Sequence, residues 1–438
     1  MQTKSLIPSR NAKKINLITL GCSKNLVDSE VLLAQLHGGG LEATHEAENS
    51  DAGIVVINTC GFIDQAKEES VNTILDYVAR KERGEVHKVI VTGCLSQRYK
   101  DDLIQEIPEV DAWFGTMDMP DLVRALGVDY KKELVGERNP VTDGHYAYLK
   151  IAEGCNRPCS FCAIPLMRGK HQSRDIDFLV REAEHLVSRG VKEVMLIAQD
   201  LTYYGLDLYG KRRLDDLLHA LADVKGLEWI RLHYAYPSGF PMEILPVIRE
   251  RENICNFPVL PRQNTSDEVN KAFGRGINHR RTCELMDRIR QEVPGITLRT
   301  TLLVGHPGET EAAHEELLRF IETYRFDRLG VFTYSHEENT YGGDHLQDLI
   351  PQEVKERRRD EVMELQQDIS FQLNRAKVGK TFKTIVDREE EGYFIGRTEA
   401  DSPEVDNEVI IQSIGLSPGT FYDVKITDAM EYDLIGKV

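Results

Sequence analysis

The sequence of 438 residues predicts an α/β protein with two α/β domains and a small β-barrel at its C-terminal end. Three observations predict this architecture. An apolar run, a cysteine and a helical pattern follow one another three times before residue 127; strands and helices alternate again over 145–373; beyond residue 378, short strand patterns alternate with acidic, glycine-containing turns. Alternating strands and helices form parallel sheets with right-handed crossovers, whereas a run of short strands closes into a barrel.

The overall composition is that of a soluble globular protein. Apolar residues make up 41% and charged residues 29% of the chain, and no continuous apolar stretch reaches the roughly 18 residues that a membrane span needs. We therefore expect a cytoplasmic protein without a membrane partner, whose eight cysteines face a reducing environment that favours metal binding. The net charge of −18 repels phosphate backbones, which favours a basic protein substrate over naked RNA.

The first three strand–helix units each place a cysteine after a strand. The runs INLITL, GIVVIN and HKVIVT lead to Cys22, Cys60 and Cys94, each beside a glycine or a threonine. The helical patterns that follow end at Gly38, span 65–78, and begin at Ser96. Because the carboxyl ends of parallel strands share one edge, where such sheets bind ligands, we expect the three cysteines to lie together.

Two interpretations of these three cysteines compete. Singly, each would be an ordinary buried residue, since free cysteine is among the most buried residue types. Together they stand at strand-to-helix turns, where helix N-termini lower the pKa of a thiol and small neighbours let a cofactor approach, so a three-thiolate cluster is the better interpretation. Cys255 and Cys283 lack this setting, and Cys283 shares a helical stripe with Met286 and Ile289; both are expected to be core or incidental residues.

The strongest motif is Cys155-x3-Cys159-x2-Cys162, in the segment EGCNRPCSFC. Three thiolates on one tight loop can hold three corners of an iron–sulfur cubane and leave the fourth iron open. An open iron can chelate S-adenosylmethionine and pass it one electron, which is the first step of radical chemistry. The loop follows YAYLKI, the first strand of the central domain, where a barrel active site belongs. The alternative is a zinc site, with His171 as the only local fourth ligand.

The central domain has six strand patterns separated by helical patterns, which predicts a curved, barrel-like α/β domain. The strands are YAYLKI, VKEVMLIA, LEWIRLHY, NFPVL, ITLRTTLLV and DRLGVFTY. Pro351 then begins a long helix with Val362, Leu365, Ile369 and Leu373 on one face. The runs TFKTIV, YFIGRT, EVIIQ and FYDVKIT that follow predict the small β-barrel, of about sixty residues.

These segments together resemble the methylthiotransferases of the radical S-adenosylmethionine superfamily along nearly the whole chain. The resemblance is carried by LGCSKNLVDSE at 20–30, NTCGFI at 58–63, VTGCLSQRY at 91–99, EGCNRPCSFCAIPLMRGKHQSR at 153–174, VGHPGETE at 304–311 and DSPEVDNEV at 401–409. It implies a methylthiotransferase domain at 13–131, a radical core that forms a partial (β/α) barrel at 141–373, and a C-terminal TRAM domain at 376–438. It also implies two 4Fe-4S clusters: an auxiliary one on Cys22, Cys60 and Cys94, and the radical-generating one on Cys155, Cys159 and Cys162.

The segments SKNLVDSE and CAIPLMRGKH are most similar to the branch of this family that modifies a ribosomal protein. The resemblance implies that sulfur and a methyl group are inserted at the β-carbon of one aspartate in small-subunit ribosomal protein twelve. One S-adenosylmethionine would donate the methyl group, and another would give the 5′-deoxyadenosyl radical that removes the hydrogen. We also expect an electron donor of the flavodoxin or ferredoxin type.

Two other functions compete with this one. A sister enzyme of the same three domains methylthiolates an adenosine in tRNA, but residues 378–438 carry 6 basic and 13 acidic residues, a net charge of −7. That charge is poor for gripping tRNA and good for docking a basic ribosomal protein, so tRNA is an unexpected partner. A scaffold that carries clusters without catalysis would use the same six cysteines, and formation of 5′-deoxyadenosine distinguishes the enzyme from it.

Polar and glycine residues near strand ends are weaker candidates. The polar ones, which could bind S-adenosylmethionine or substrate or be satisfied core groups, are Gln199, Asp200, Arg231, His233 and Arg299. The turn residues, which could let the backbone approach a nucleoside or form an ordinary turn, are Gly305, Pro307 and Gly308. From these sets, the candidate contacts to S-adenosylmethionine are Gln199, Asp200, Arg299 and Gly305.

Two basic clusters could be either functional or simply solvent-exposed. Lys170, His171 and Arg174 could clamp a carboxylate or belong to a solvated loop. The helical run 357–359, three arginines, is expected to be an exposed face.

One segment departs from the family's pattern. Where the family usually reads Asp-Ile-Pro-Leu-Gln-His at the end of the fourth barrel strand, this chain has VLPRQN. Val259 and Asn264 therefore replace the Asp and the His, while Gln263 keeps its place. Any role of those two polar side chains in holding cofactor or substrate is open in this chain, whereas the six cysteines are intact.

Overall fold

The computed structural model describes residues 14–48 and 50–438. The predicted start of the first domain at residue 13 lies outside them. The described residues form two compact units, one made of 14–48, 50–142, 148–156 and 163–189 and the other of 143–147, 157–162 and 190–438. Within residues 14–48 and 50–438, no helix is both long and apolar enough to cross a bilayer.

The first unit is built on a five-stranded parallel sheet. Its strands are β1 (Lys14–Thr19), β2 (Glu42–His45), β3 (Ile54–Thr59), β4 (Lys88–Gly93) and β5 (Ala112–Trp113), in the order β2-β1-β3-β4-β5. Its helices are α1 (Ser23–Gly38), α2 (Asp64–Glu82), α3 (Cys94–Glu106) and α4 (Met119–Ala125). All six residues of β3 are buried, because apolar clusters cover both faces of the sheet.

The three predicted strand–helix units are therefore present, with two additional strands at the sheet edges. β2 and β5 are four and two residues long, too short for a periodic pattern to reveal them. The unit continues through β6 (Tyr146–Lys150), which both units share, β7 (Ala152–Glu153), α5 (Ile164–Arg168), β8 (Gln172–Ser173) and α6 (Ile176–Ser188).

The second unit contains the rest of the curved α/β domain. Its strands are β9 (Glu193–Ile197), β10 (Trp229–Leu232), β11 (Ile254–Pro258), β12 (Arg299–Val304) and β13 (Arg328–Thr333). Its helices are α7 (Leu206–Tyr209), α8 (Leu214–Ala222), α9 (Ile244–Glu250), α10 (Asp267–Ala272), α11 (His279–Glu292), α12 (Glu311–Tyr324), α13 (Tyr341–His345) and α14 (Gln352–Arg375). β11, β10, β9 and the first residues of β6 form one sheet, and β12 and β13 pair in parallel.

Isolated bridges of Val259 with Arg299 and of Gln263 with Leu302 connect the chain after β11 to β12. Each of the six predicted strand patterns thus contains a strand, as a partial barrel requires. The long helix α14 follows Pro351 and buries Val362 and Ile369 against β12 and α12, as its apolar stripe predicts.

The C-terminal part of the second unit is a closed five-stranded barrel. Its strands are β14 (Thr381–Glu390), β15 (Tyr393–Thr398), β16 (Val409–Ile411), β17 (Phe421–Ala429) and β18 (Leu434–Lys437), in the order β14-β15-β16-β18-β17. The predicted fold class, α/β with a small β-barrel, is confirmed. The last strand was absent from the prediction.

The small barrel contacts the amino-terminal ends of the neighbouring parallel strands. Glu193, the first residue of β9, pairs with Arg397 at 2.8 Å, and Arg299, the first residue of β12, pairs with Asp406 at 2.8 Å. Trp229, the first residue of β10, packs edge-on against the ring of Phe421, and Arg328, the first residue of β13, pairs with Asp401. The small barrel therefore occupies the end of these strands opposite to the carboxyl ends.

Candidate iron–sulfur sites

Cys22, Cys60 and Cys94 follow three adjacent strands of the first unit, β1, β3 and β4. Cys22 is the N-cap of α1 and Cys94 is the first residue of α3, whereas Cys60 precedes α2 by four residues. Besides burial, the charges of Cys22 and Cys60 raise the pKa of Cys94, and the charge of Cys22 raises the pKa of Cys60. The prediction that the three cysteines meet at the carboxyl edge of one parallel sheet is confirmed by this arrangement.

Two glycines make the close approach around these cysteines possible. Gly21 has a φ of +94°, and a Cβ there would lie 2.6 Å from Cys60 Cβ and 2.8 Å from Cys60 Sγ. A Cβ on Gly61 would lie 2.8 Å from the Cα of Leu95. Only residues without side chains fit at these two positions. Three thiols held in such a cradle suit an iron–sulfur cluster, because thiolates are the ligands that clusters take.

The expected lowering of thiol pKa by helix N-termini does not occur at Cys60 and Cys94. Burial raises the pKa of the Cys60 thiol, and it raises the pKa of Cys94 to about 12. Burial wins because it removes the water that would solvate a thiolate, and Cys60 also stands four residues before its helix. A bound iron would supply the missing charge compensation, since a metal displaces the thiol proton.

A buried arginine, which the sequence did not single out, contacts this triad. Arg168, the last residue of α5, is 3% exposed, and its Nε donates to Cys94 Sγ at 3.3 Å. The same guanidinium pairs with Asp28 at 2.6 Å and with Glu153 at 3.1 Å. Its charge opposes the rise in the pKa of Cys94. The sequence signal that could have identified Arg168 is its place in the segment AIPLMRGK, directly after an apolar turn of helix.

Cys155 of the second motif belongs to the first unit. Its backbone N–H donates to the carbonyl oxygen of Gly169 at 3.1 Å. The preceding Gly154 has a φ of +76°, and a Cβ there would lie 2.2 Å from the carbonyl oxygen of Lys170. The start of the cysteine loop is therefore held by backbone contacts to the segment that follows Arg168.

Cys159 and Cys162 belong to the second unit. The N–H of Cys162 donates to the carbonyl oxygen of Cys159 at 3.1 Å, which closes a tight turn. Ser160, between them, donates from its N–H to the Phe273 carbonyl oxygen at 3.0 Å and accepts from the Gly342 N–H at 2.7 Å. The backbone of the loop between Cys159 and Cys162 is thus hydrogen-bonded on both sides, to Phe273 and to Gly342.

The side chain of Arg157, within the same loop, connects it to a predicted binding residue. Arg157 Nε lies 2.7 Å from Asp200, and its guanidinium stacks on the Tyr236 ring at 4.0 Å from the centroid. Tyr236 also places its hydroxyl oxygen 3.6 Å from Cys159 Sγ. Asp200 in addition accepts from the Thr202 N–H at 2.9 Å. Asp200 therefore positions the cysteine loop, a contact that no periodic pattern could indicate.

The other candidates for S-adenosylmethionine contacts lie at different ends of strands. Gln199 follows β9 and Gly305 follows β12, both at carboxyl ends. Gly305 has a φ of +75°, and its N–H donates to Glu309. Arg299 begins β12 and pairs with Asp406, so about six residues of strand, roughly 20 Å, separate it from Gly305. Gln199 and Gly305 thus lie at the carboxyl ends of parallel strands, whereas Arg299 lies at an amino end.

The remaining polar candidates have protein partners. Arg231 is fully buried between Glu193 and the carbonyl oxygen of Thr398, and His233 Nε2 lies 3.0 Å from Ser402 Oγ. These contacts hold the small barrel.

The three basic residues after the cysteine loop have different environments. Lys170 is exposed, His171 Nε2 lies 3.2 Å from Ser173 Oγ, and Arg174 pairs with Glu182 at 3.2 Å. Pro307 and Gly308 lie in the turn between β12 and α12, as expected.

The expectation that 357–359 is an exposed face is wrong for Arg358. That residue is 4% exposed and pairs with Glu309 at 2.9 Å, whereas its two neighbours are more than two-fifths exposed. Successive residues of a helix point in different directions, so only Arg358 of these three arginines is buried.

The segment that departs from the family's pattern is buried. Val259 is 1% exposed and lies in an apolar cluster with Trp229 and Phe257. Asn264 donates to Glu309 at 2.8 Å and accepts from the N–H of Thr265 at 2.8 Å. Both replacements therefore have structural roles. Of the two leftover cysteines, Cys255 is buried and Cys283 is half-buried.

Across the described ranges, no group of three or more His, Cys, Asp or Glu side chains is arranged to hold a single metal ion. A four-iron cube is a different target, since it is wider than one ion and takes each thiolate on a different iron.

Three segments of the chain match known domain families. Residues 14–115 match the uncharacterized protein family UPF0004, residues 149–321 match the radical SAM superfamily, and residues 378–438 match the TRAM domain. Among solved structures, the radical S-adenosylmethionine methyltransferase TsrM from Kitasatospora setae is similar with a TM-score of 0.57 at 14% identity, over 76% of this chain and 77% of that one. The cobalamin-dependent radical enzyme OxsB is similar with a TM-score of 0.52 at 12% identity, over 82% and 56%. At these identities the likeness shows the fold alone.

Much closer relatives span the whole chain. Ribosomal protein uS12 methylthiotransferase RimO of Cytophaga hutchinsonii is 56% identical over 427 residues, which cover 97% of this chain and 98% of that protein. The enzyme of the same name from Flavobacterium johnsoniae is 56% identical over 440 residues and 100% of both chains, and that of Bacteroides thetaiotaomicron is 52% identical over 97% and 98%. The chain therefore belongs to the family of ribosomal protein uS12 methylthiotransferases, radical S-adenosylmethionine enzymes with two 4Fe-4S clusters.

Proposed function

We propose that this protein methylthiolates the β-carbon of an aspartate in ribosomal protein uS12 of the small subunit. The observation that carries the proposal is the meeting of Cys22, Cys60 and Cys94 at the ends of three adjacent strands, in a chain that also has the Cys155-x3-Cys159-x2-Cys162 motif. Two separate cysteine triads fit an enzyme that both generates a radical and delivers sulfur. The substrate in this proposal is taken from the names of the relatives, which are uS12 methylthiotransferases.

We assign the auxiliary cluster to Cys22, Cys60 and Cys94 and the radical-generating cluster to Cys155, Cys159 and Cys162. When bound, the clusters and S-adenosylmethionine supply the electron, the hydrogen abstraction, the sulfur and the methyl group. The chain's own residues hold these parts in place. Arg168 donates to a ligand of the first set, and Tyr236 contacts a ligand of the second.

The residues proposed to contact S-adenosylmethionine are Gln199, Asp200 and Gly305, whereas the fourth sequence candidate, Arg299, lies at the opposite end of its strand. The three proposed residues lie at carboxyl ends of parallel strands, where such domains bind ligands. Asp200 holds Arg157 of the cysteine loop, so it orders that loop as well. Arg299 at the other end supports the small barrel through Asp406.

The small barrel suits a basic protein partner. Residues 378–438 carry a net charge of −7, and Glu389, Glu391 and Asp423 are exposed on it. Such a surface attracts a basic ribosomal protein and repels tRNA. The proposal also includes a cytoplasmic location and an electron donor of the flavodoxin or ferredoxin type. Its domain limits are 13–131, 141–373 and 376–438.

The test is mass spectrometry of uS12 and of tRNA from cells with and without this protein. The proposal predicts that a methylthio group on a uS12 aspartate disappears with the gene, while tRNA adenosines are unchanged. Loss of a methylthiolated adenosine with uS12 unaffected would establish the tRNA activity instead.

A further inference from the structure

The contact between Arg168 and Cys94 is unusual because it joins a buried cation to a thiol that the proposed function makes a cluster ligand. Arg168 Nε donates to Cys94 Sγ at 3.3 Å, and another nitrogen of the same guanidinium donates to Asn25 Oδ1. Asn25 Oδ1 also lies 3.8 Å from Cys94 Sγ. Arg168 and Asn25 thus form one side of the surroundings of this sulfur.

The position of Arg168 is fixed by packing as well as by charge. Ala163, the N-cap of helix α5, and Met167, within that helix, form a small apolar cluster with Cys94. The hydroxyl of Thr116 donates to the Met167 carbonyl oxygen at 2.5 Å. The guanidinium therefore meets the sulfur from a helix end that is itself held on both sides.

The charge of Arg168 is balanced by carboxylates. Arg168 and Lys150 share the carboxylates of Asp28 and Glu153, with Lys150 at 2.7 Å from Glu153. Two cations face two anions, so the group offers Cys94 a directed N–H donor rather than surplus positive charge. An N–H that points at a cluster sulfur stabilises the more electron-rich state, and hydrogen bonds to the sulfurs are among the factors that set a cluster's potential.

We propose that Arg168 is a positioning residue that raises the reduction potential of the auxiliary cluster through its hydrogen bond to Cys94. A further consequence follows from Glu153, which stands two residues before Cys155. Because Arg168 holds both Cys94 and Glu153, it ties the start of the second cysteine loop to a ligand of the first triad within one unit. The inference rests on the proposed assignment of Cys22, Cys60 and Cys94 as ligands.

The test uses the full chain with Cys155, Cys159 and Cys162 replaced by alanine, so that one cluster remains. Into this background go Arg168→Lys and Arg168→Gln. The matched controls are Arg138→Lys and Arg138→Gln, because Arg138 is also fully buried and paired, with Glu30 and Glu182, but contacts no cysteine of the triad among the described contacts. Iron and sulfide content and the midpoint potential, followed by electron paramagnetic resonance, are measured for each.

We expect the Arg168 variants to take up iron and to become harder to reduce by about a tenfold change in equilibrium constant, or about 59 mV for one electron. The Arg138→Lys variant should keep the parent potential. Loss of iron in the Arg168 variants alone would overturn the inference, because Arg168 would then hold the cluster rather than set its potential. An unchanged potential in Arg168→Lys and Arg168→Gln, or an equal shift or loss of iron in the Arg138 controls, would overturn it. If the parent itself bound no iron, the assignment of the triad would fail instead.

Discussion

The hydroxyl oxygen of Tyr236 lies 3.6 Å from the sulfur of Cys159. The ring is held between two guanidinium groups, those of Arg157 at 4.0 Å and of Arg275 at 4.2 Å from its centroid. Its hydroxyl also donates to the Arg275 carbonyl oxygen at 3.2 Å. A rigid hydroxyl beside a proposed ligand of the radical-generating cluster should influence reductive cleavage of S-adenosylmethionine.

Tyr236→Phe is therefore expected to slow 5′-deoxyadenosine formation about fivefold while leaving the iron content unchanged. A hydrogen bond contributes about 1 kcal/mol, and that energy corresponds to about fivefold in rate. The control is Tyr334→Phe, another buried tyrosine of the same unit. Equal rates for Tyr236→Phe and the parent would show that the contact has no role in the reaction.

Anaerobic reconstitution should give about eight irons per chain, because two cysteine triads each suit a four-iron cube. Cys60→Ala should retain about four irons, and so should Cys159→Ala. Iron and acid-labile sulfide are counted on folded, monodisperse protein. A parent value near four would remove one of the two sites.

Binding of a basic ribosomal protein should weaken as salt rises, since exposed charges more than about 10 Å apart are screened at 0.1 M ionic strength. Replacing Glu389, Glu391 and Asp423 by lysine should weaken it further at low salt, because all three are exposed on the small barrel. Titration calorimetry with uS12, with tRNA as competitor, measures both effects. Strong competition by tRNA would point to the sister activity.

Stability should fall as the pH is lowered from about 6.5 towards 4 because of His306. Burial lowers the pKa of His306 to about 4, among the rings of Phe273 and Tyr334 at 4.4 and 5.1 Å. The unfolded chain takes up a proton near pH 6.5 that the folded chain refuses, so the stability present above pH 6.5 is lost as the pH falls. The loss approaches roughly 3 kcal/mol at pH 4, at about 1.4 kcal/mol per pKa unit.

His306→Phe should remove most of this pH dependence. Denaturant unfolding of the cluster-free parent and variant between pH 5 and 7 measures it. Parallel curves for the two proteins would assign the acid sensitivity to other groups.

The positions of the cysteines in the fold were predictable from sequence because each depends on a local pattern. Cys22, Cys60 and Cys94 each follow an apolar strand, and parallel topology alone brings such positions together. Arg168 and Tyr236 were not predictable, since each meets its cysteine across 74 or 77 residues of chain and neither contact has a periodic signature. The raised pKa of Cys94 was missed for a related reason: burial depends on packing that a helix N-terminus does not reveal.

The central claim is that the two cysteine triads have separate roles. Cys159→Ala removes a ligand that we assign to the radical-generating cluster, so 5′-deoxyadenosine and methylthiolated product should both vanish. Cys60→Ala should leave 5′-deoxyadenosine measurable while product disappears, whereas a merely structural cysteine would cost about 1 kcal/mol of stability and spare turnover. The decisive measurement is both products quantified together for each variant in matched, folded preparations with uS12. Normal product from Cys60→Ala would contradict the auxiliary-cluster assignment and the methylthiotransferase mechanism built on it.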